Sequence, residues 1–136
     1  MISVCFYRHG PCSHDRRSAA PIAAAVVRIL VAIEPQMYRE VLAFHICQQH
    51  PRCAEVVLAS PQTLLAEAER VRPHLIFANE VPVSLKEMCF WVEVDSSDGL
   101  DATISANGYS TTIHDVSLQD LLAVVDKTVE EFAHGA

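Results

Sequence analysis

The sequence predicts an α/β protein with one globular domain, built on a CheY-like or flavodoxin-like open parallel sheet flanked by helices. Short β-branched apolar runs, "VRILVAI", "AEVVLA" and "HLIFA", recur at a regular tempo. Such runs, apolar on both faces, are what strands buried in a parallel sheet show. Between them lie two segments with apolar residues at helical spacing. The chain has 136 residues and is 51% hydrophobic, enough apolar mass for a single core.

The elements follow in order. Residues 1–26 read as a poorly ordered N-terminal extension that mixes a short strand, a Cys/His/Arg loop and an Ala-rich stretch broken by Pro21. The domain itself is expected over 27–134. "VRILVAI" is its first strand. "QMYREVLAFHICQQH" is a helix, with Met37, Val41 and Phe44 on one side and Tyr38, Leu42 and Ile46 beside them. "AEVVLA" is the second strand. "SPQTLLAEAERVR" is a second helix, with Ser60 as N-cap, Pro61 at the first helical position and a stripe of Leu64, Leu65, Ala68 and Val71. "HLIFA" and "MCFWVEV" are the third and fourth strands, with Phe90 and Trp91 in the core. Strand and helix alternating at this pace is the pattern of right-handed βαβ crossovers.

After the fourth strand the rhythm changes. "ATIS" and "YSTTI" flank Asn107-Gly108, a pair that tolerates positive φ and marks a two-residue hairpin turn. A hairpin therefore stands where a further helix would be expected. "SLQDLLAVVDKTVEEF" closes the chain as a helix, capped by Ser117 and Asp120.

Composition excludes several functions. With 17 acidic against 10 basic residues and a formal charge of −7, the chain lacks the clustered Lys and Arg that direct nucleic-acid binding requires. No apolar run approaches the roughly 18–20 residues of a membrane span. The five cysteines, an odd number set among apolar neighbours, read as buried reduced thiols, which suits a cytoplasmic protein.

With these elements in place, residues 27 to about 132 resemble a response-regulator receiver domain. "RILVAIEPQMYREVL" and "AEVVLASPQTLLAEAERVRPHLIFANEVP" carry the likeness, and "GYSTTIHDVSLQDLL" adds to it. In that family an acidic pair after the first strand and an aspartate after the third hold Mg²⁺, and the third-strand aspartate accepts a phosphoryl group. A hydroxyl near the fourth strand and a lysine after the fifth contact the phosphoryl oxygens. Carried onto this chain, the acidic pair falls on Ile33 and Glu34, the acceptor on Asn79, the hydroxyl on Ser96 or Ser97, and the lysine within a residue or two of His114. An amide oxygen is a poor nucleophile, and hard Mg²⁺ prefers charged oxygen ligands that Ile33 lacks. The resemblance thus implies a receiver-like domain that cannot be phosphorylated. Such a domain acts through protein partners in signalling or transcription control, without catalysis, metal or cofactor.

Other constellations compete with that expectation. Glu34, Asn79, Glu80 and Asp95, with His114 as a further candidate, would meet at the C-terminal edge of the sheet, where open α/β folds bind ligands. A small-ligand protein or enzyme is the alternative there. "RHG", Arg8-His9-Gly10, is similar to the opening motif of histidine phosphatases, though a tripeptide specifies little. Two Cys/His groups have zinc-ligand residue types, Cys5, His9, Cys12 and His14, and His45, Cys47, His50 and Cys53, but neither has the Cys-x-x-Cys spacing of a finger or ribbon. For partner contact, the candidate interface is a homodimer through Leu118, Leu122, Val125 and Val129 on the last helix. It would be joined by the uncharged edge at Tyr109, Thr111 and Thr112.

Overall fold

The structure, a computed structural model, describes residues 2–3, 26–95, 100–106 and 109–133. Strand β1 is Ile2–Ser3, β2 Val27–Ala32, β3 Ala54–Leu58, β4 Leu75–Ala78, β5 Phe90–Asp95, β6 Asp101–Ala106 and β7 Tyr109–Ile113. Helix α1 is Gln36–Gln49, α2 Leu64–Val71, α3 Val83–Lys86 and α4 Leu118–Ala133. The strands form one sheet in the order β1-β3-β2-β4-β5-β6-β7.

The α/β expectation holds, with one correction: the sheet is mixed. β3-β2-β4-β5 is parallel, whereas β1, β6 and β7 all run antiparallel to their neighbours. The cause is chain length. A parallel crossover needs a dozen or more residues, and only five, 96–100, separate β5 from β6. Ala106 faces Tyr109 across the next ladder, as a two-residue hairpin requires; Asn107-Gly108 itself lies outside the described residues. Most of the N-terminal extension does too, although Ile2–Ser3 pairs with the edge of β3.

Both faces of the central strands are covered, which explains why "VRILVA" shows no polar alternation. Val27, Ile29 and Val31 pack with Leu42, Ala43 and Ile46 of α1 and with Leu121, Leu122, Val125 and Val129 of α4. Leu30 and Ala32 face the other way, toward Leu64 and Ala68 of α2 and Leu85 of α3. The one-turn helix α3 had no signal in the sequence beyond Pro82 ahead of it.

The caps fall where they were expected. Ser60 and Thr63 form a reciprocal capping box around Pro61, opening a 3-10 turn that leads into α2. Ser117 donates its backbone N–H to Asp120 Oδ2 at 2.9 Å, and Asp120 returns its N–H to Ser117 Oγ at 3.2 Å, starting α4.

Helix faces were less legible. On α1 the buried residues are Leu42, Ala43 and Ile46, while Met37, Tyr38, Val41 and Phe44 are exposed. On α2 Leu65 faces out while Leu64 and Ala68 are buried. On α4, Leu122, Val125 and Val129 are buried in the chain's own core and Leu118 is packed against it. The predicted dimer stripe is therefore corrected. It covers the sheet of its own molecule, because a helix this apolar on one side is drawn onto the nearest uncovered sheet face.

At the N-terminal edge of the sheet, His74 joins β2, β4 and α4. Its Nδ1 accepts the Arg28 backbone N–H at 2.9 Å and its ring packs on Phe132 with centroids 4.7 Å apart. An accepting Nδ1 is an unprotonated one. Burial, and then the Arg28 charge, lower its pKa from the ordinary 6.5. A histidine held neutral in the fold contributes stability that is present above its unfolded value and lost as pH falls through the lowered folded value. Denaturant midpoints measured from pH 8 to 4.5 should thus start to fall below about pH 6.5. His74→Asn, which keeps an acceptor without the titration, should flatten that limb; an unchanged limb would remove His74 from the account.

Candidate functional site at the C-terminal edge of the sheet

The C-terminal ends of β2, β4 and β5 meet at one tip, and Asn79 ties them together. Its Oδ1 accepts the Glu34 backbone N–H at 2.7 Å and its Nδ2 donates to the Val94 carbonyl at 2.9 Å. Both ends of the amide are engaged with backbone that would otherwise lack partners where the ladders end. Asn79 is therefore a clamp across three strands, a role a carboxylate could fill only by half, since it has no N–H to donate.

The other candidate positions sort around this clamp. Ile33, beneath it, is 2% exposed and part of the core. Glu34 is exposed, and its carboxylate lies 3.8 Å from Arg39. Arg39 reaches from α1 to donate to the Ala59 carbonyl at 2.7 Å, so its guanidinium also holds a strand end, that of β3. Asp95 stands opposite Asp101 in the β5-β6 ladder. Asp101 in turn lies 3.5 Å from the exposed His114 ring and accepts the Asp115 N–H at 3.2 Å. Because β6 runs antiparallel to β5 and β7 antiparallel to β6, β7 runs in the same direction as β5 and His114 returns to this edge, two strands away from β5. Ser96 and Ser97 lie outside the described residues.

Two cavities flank the tip, one on each face of the sheet. On the α2/α3 face a cavity of about 620 Å³ is bordered by Asn79, Glu80, Lys86 and Glu93. Within it Lys86 is 3.1 Å from Glu93 and lies over the Trp91 ring at 4.4 Å, and Glu93 accepts the Val81 N–H at 2.9 Å. On the α1/α4 face a smaller cavity of about 280 Å³ is floored by Ile33 and Val94 and walled by α1 and α4. Asn79 and Glu80 thus come together on one cavity, Glu34 joins Asn79 only through its backbone, and Asp95 and His114 belong to a separate group. Sequence reasoning missed Lys86, Glu93 and the exposed side of α1. The mixed polarity of "VSLKE" and the doubled apolar spacing of α1 were the available signals.

The cysteine reading also needs correcting. Cys47 and Cys53 are disulfide-bonded, so they are neither reduced thiols nor thiolate ligands for zinc, and the argument for a reducing compartment loses both. His50, from the same group, points at Asp126 of α4 with Nε2 2.7 Å from Oδ1. Among the described residues, Cys89 is a free thiol whose Sγ faces the Leu85 carbonyl, and burial pushes its pKa up to about 11. It is thus a poor nucleophile at neutral pH. The remaining proposed ligands, Cys5, His9, Cys12 and His14, and the Arg8-His9-Gly10 motif lie outside the described residues. Among the described residues no helix is long and apolar enough to cross a membrane.

No family model and no curated protein matches the chain. Among solved structures it is similar to a methionyl-tRNA formyltransferase from Clostridium thermocellum, at 10% identity and a TM-score of 0.47, over 78% of this chain and 64% of that one. It is also similar to HypX from Aquifex aeolicus, at 13% identity and a TM-score of 0.48, over 81% of this chain and 27% of that one. The chain spans less than two thirds of the length of either.

Proposed function

We propose that this chain is a receiver-like interaction module that takes no phosphoryl group and acts by contact with protein partners, a second copy among them. The carrying observation is the Asn79 clamp: at the acceptor position stands an amide whose two ends are bound to backbone, beside a buried Ile33. Neither Ile33 nor Asn79 supplies a carboxylate to hold Mg²⁺, and an amide oxygen is a poor acceptor for a phosphoryl group.

With the α4 stripe inside the core, the surface for a second copy is the outer edge of β7. Tyr109 to Thr112 are exposed, β7 pairs among the described residues with β6 alone, and the strand holds no charge or proline. Those are the devices that normally keep sheet edges apart. In a molecule of charge −7, an uncharged edge is also where two copies meet with least repulsion.

Native mass spectrometry of the full chain, with and without Mg²⁺ and acetyl phosphate, tests both halves. A dimer with no added phosphoryl mass is expected, and Thr111→Lys should leave the fold intact while shifting the dimer to monomer. A phosphoryl adduct would overturn the first half; a dimer indifferent to Thr111→Lys would overturn the second.

A second reading, a small-ligand protein at the same edge, is favoured by the cavity of about 620 Å³ beside Asn79 and Glu80. A small molecule retained in the native spectrum and lost on Glu80→Gln would support it over the module.

A further inference from the structure

We infer that the apolar cavity between α1 and α4 is a binding site for a small, neutral, apolar molecule. It is a half-open recess walled by two helices. The tips of β2 and β5 close its floor with Ile33 and Val94, while Val41 and Leu42 of α1 face Leu118 and Leu121 of α4 across it. It lies at the C-terminal edge of the sheet, the end where open α/β folds take their ligands.

The lining determines the chemistry of the occupant. Among the described residues no charged side chain borders the cavity. The Ser117 hydroxyl is bonded to Asp120 in the cap of α4, which leaves the Tyr38 phenol as the lining group able to offer a hydrogen bond. Phosphates, nucleotides and metal ions find no partner in such walls, and an unpaired charge buried there is strongly disfavoured. The overall charge of −7, with Glu34 next to Ile33, further disfavours an anion.

Size separates a small molecule from a side chain of a partner protein. A dry cavity of about 150 Å³ takes a benzene ring. At about 280 Å³ this one is nearly twice that, so a single Leu or Phe anchor would leave it half empty while a bicyclic aromatic or a branched aliphatic group would fill it. The mouth is suited to opening. Met37, 62% exposed, is unbranched and polarizable, and together with Tyr38 and Val41 it leaves apolar surface in water that an occupant would cover.

The test uses the full chain with labelled Ile, Leu and Val methyl groups, followed by NMR during titration with 2-naphthol and, separately, naphthalene-2-sulfonate. Saturable shifts confined to the methyls of Ile33, Val41, Leu42, Val94, Leu118 and Leu121 are expected with 2-naphthol. Binding of the sulfonate should be weaker by at least about tenfold. Leu118→Trp, which fills the recess, should weaken 2-naphthol by at least about tenfold. If circular dichroism finds that variant unfolded, Val41→Glu at the mouth takes its place with the same expectation. No saturable shift up to the solubility limit, shifts centred elsewhere, equal binding of the sulfonate, or unchanged affinity in the folded variant would each overturn the site. Neither dimerisation nor phosphoryl transfer enters this readout, so its failure leaves the proposed function standing.

Discussion

Asn79→Asp is expected to yield a less stable protein that still carries no phosphoryl group. The substitution restores the residue a receiver would have, yet the structure predicts a loss. Aspartate can still accept the Glu34 N–H, but it has no proton for the Val94 carbonyl 2.9 Å away. It leaves that half-buried carbonyl unpaired and sets a carboxylate against it. An unsatisfied group of this kind costs about 1–3 kcal/mol, with the carboxylate at the upper end. Thermal unfolding of the two proteins should therefore differ by several degrees, about 2–8 °C per kcal/mol for a domain of this size. Acetyl phosphate with Mg²⁺ should add no mass, since buried Ile33 still withholds the second acid. An Asn79→Asp protein as stable as the parent, or one that takes the phosphoryl group, would refute the clamp.

Val125→Asp should abolish the fold. Val125 is fully buried in the cluster where α4 meets α1 and β2. An unpaired carboxylate there costs about 3–5 kcal/mol or more, a large share of the roughly 5–15 kcal/mol that stabilises a typical domain. Ala123→Asp, on the exposed side of the same helix, should change stability by no more than about 0.5 kcal/mol. Were α4 instead a dimer face, Val125→Asp would give a folded monomer with an almost unchanged melting temperature. Far-UV circular dichroism with sedimentation on the three proteins separates the two outcomes.

The two substitutions probe features that were unequally visible in the sequence. That position 79 is an amide and position 33 a hydrocarbon is written in the residues themselves. That the amide bridges Glu34 and Val94 is not, because it requires β2, β4 and β5 to end at the same height, which is set by ladder register across residues 15 to 45 apart. The α4 stripe illustrates the same divide from the other side. Its helical spacing announced a buried face without naming what buries it, since a sheet of the same chain and a second copy present the same apolar demand.

The strands, three of the helices, both capping boxes and the hairpin were determined by the sequence alone, because each depends on residues within a few positions of one another. Periodicity, cap hydroxyls, Pro61 and an Asn-Gly pair act locally. Tertiary structure decided the rest. Five residues between β5 and β6 turned a parallel sheet into a mixed one, and α4 folding back onto β2 settled which side of α1 meets water. The disulfide bonding of Cys47 and Cys53 and the two cavities at the tip belong to the same class. The cavities and the side of α1 that meets water depend on segments far apart in the chain, brought together by the burial of the sheet's two faces, and a local pattern carries no record of the surface it will meet.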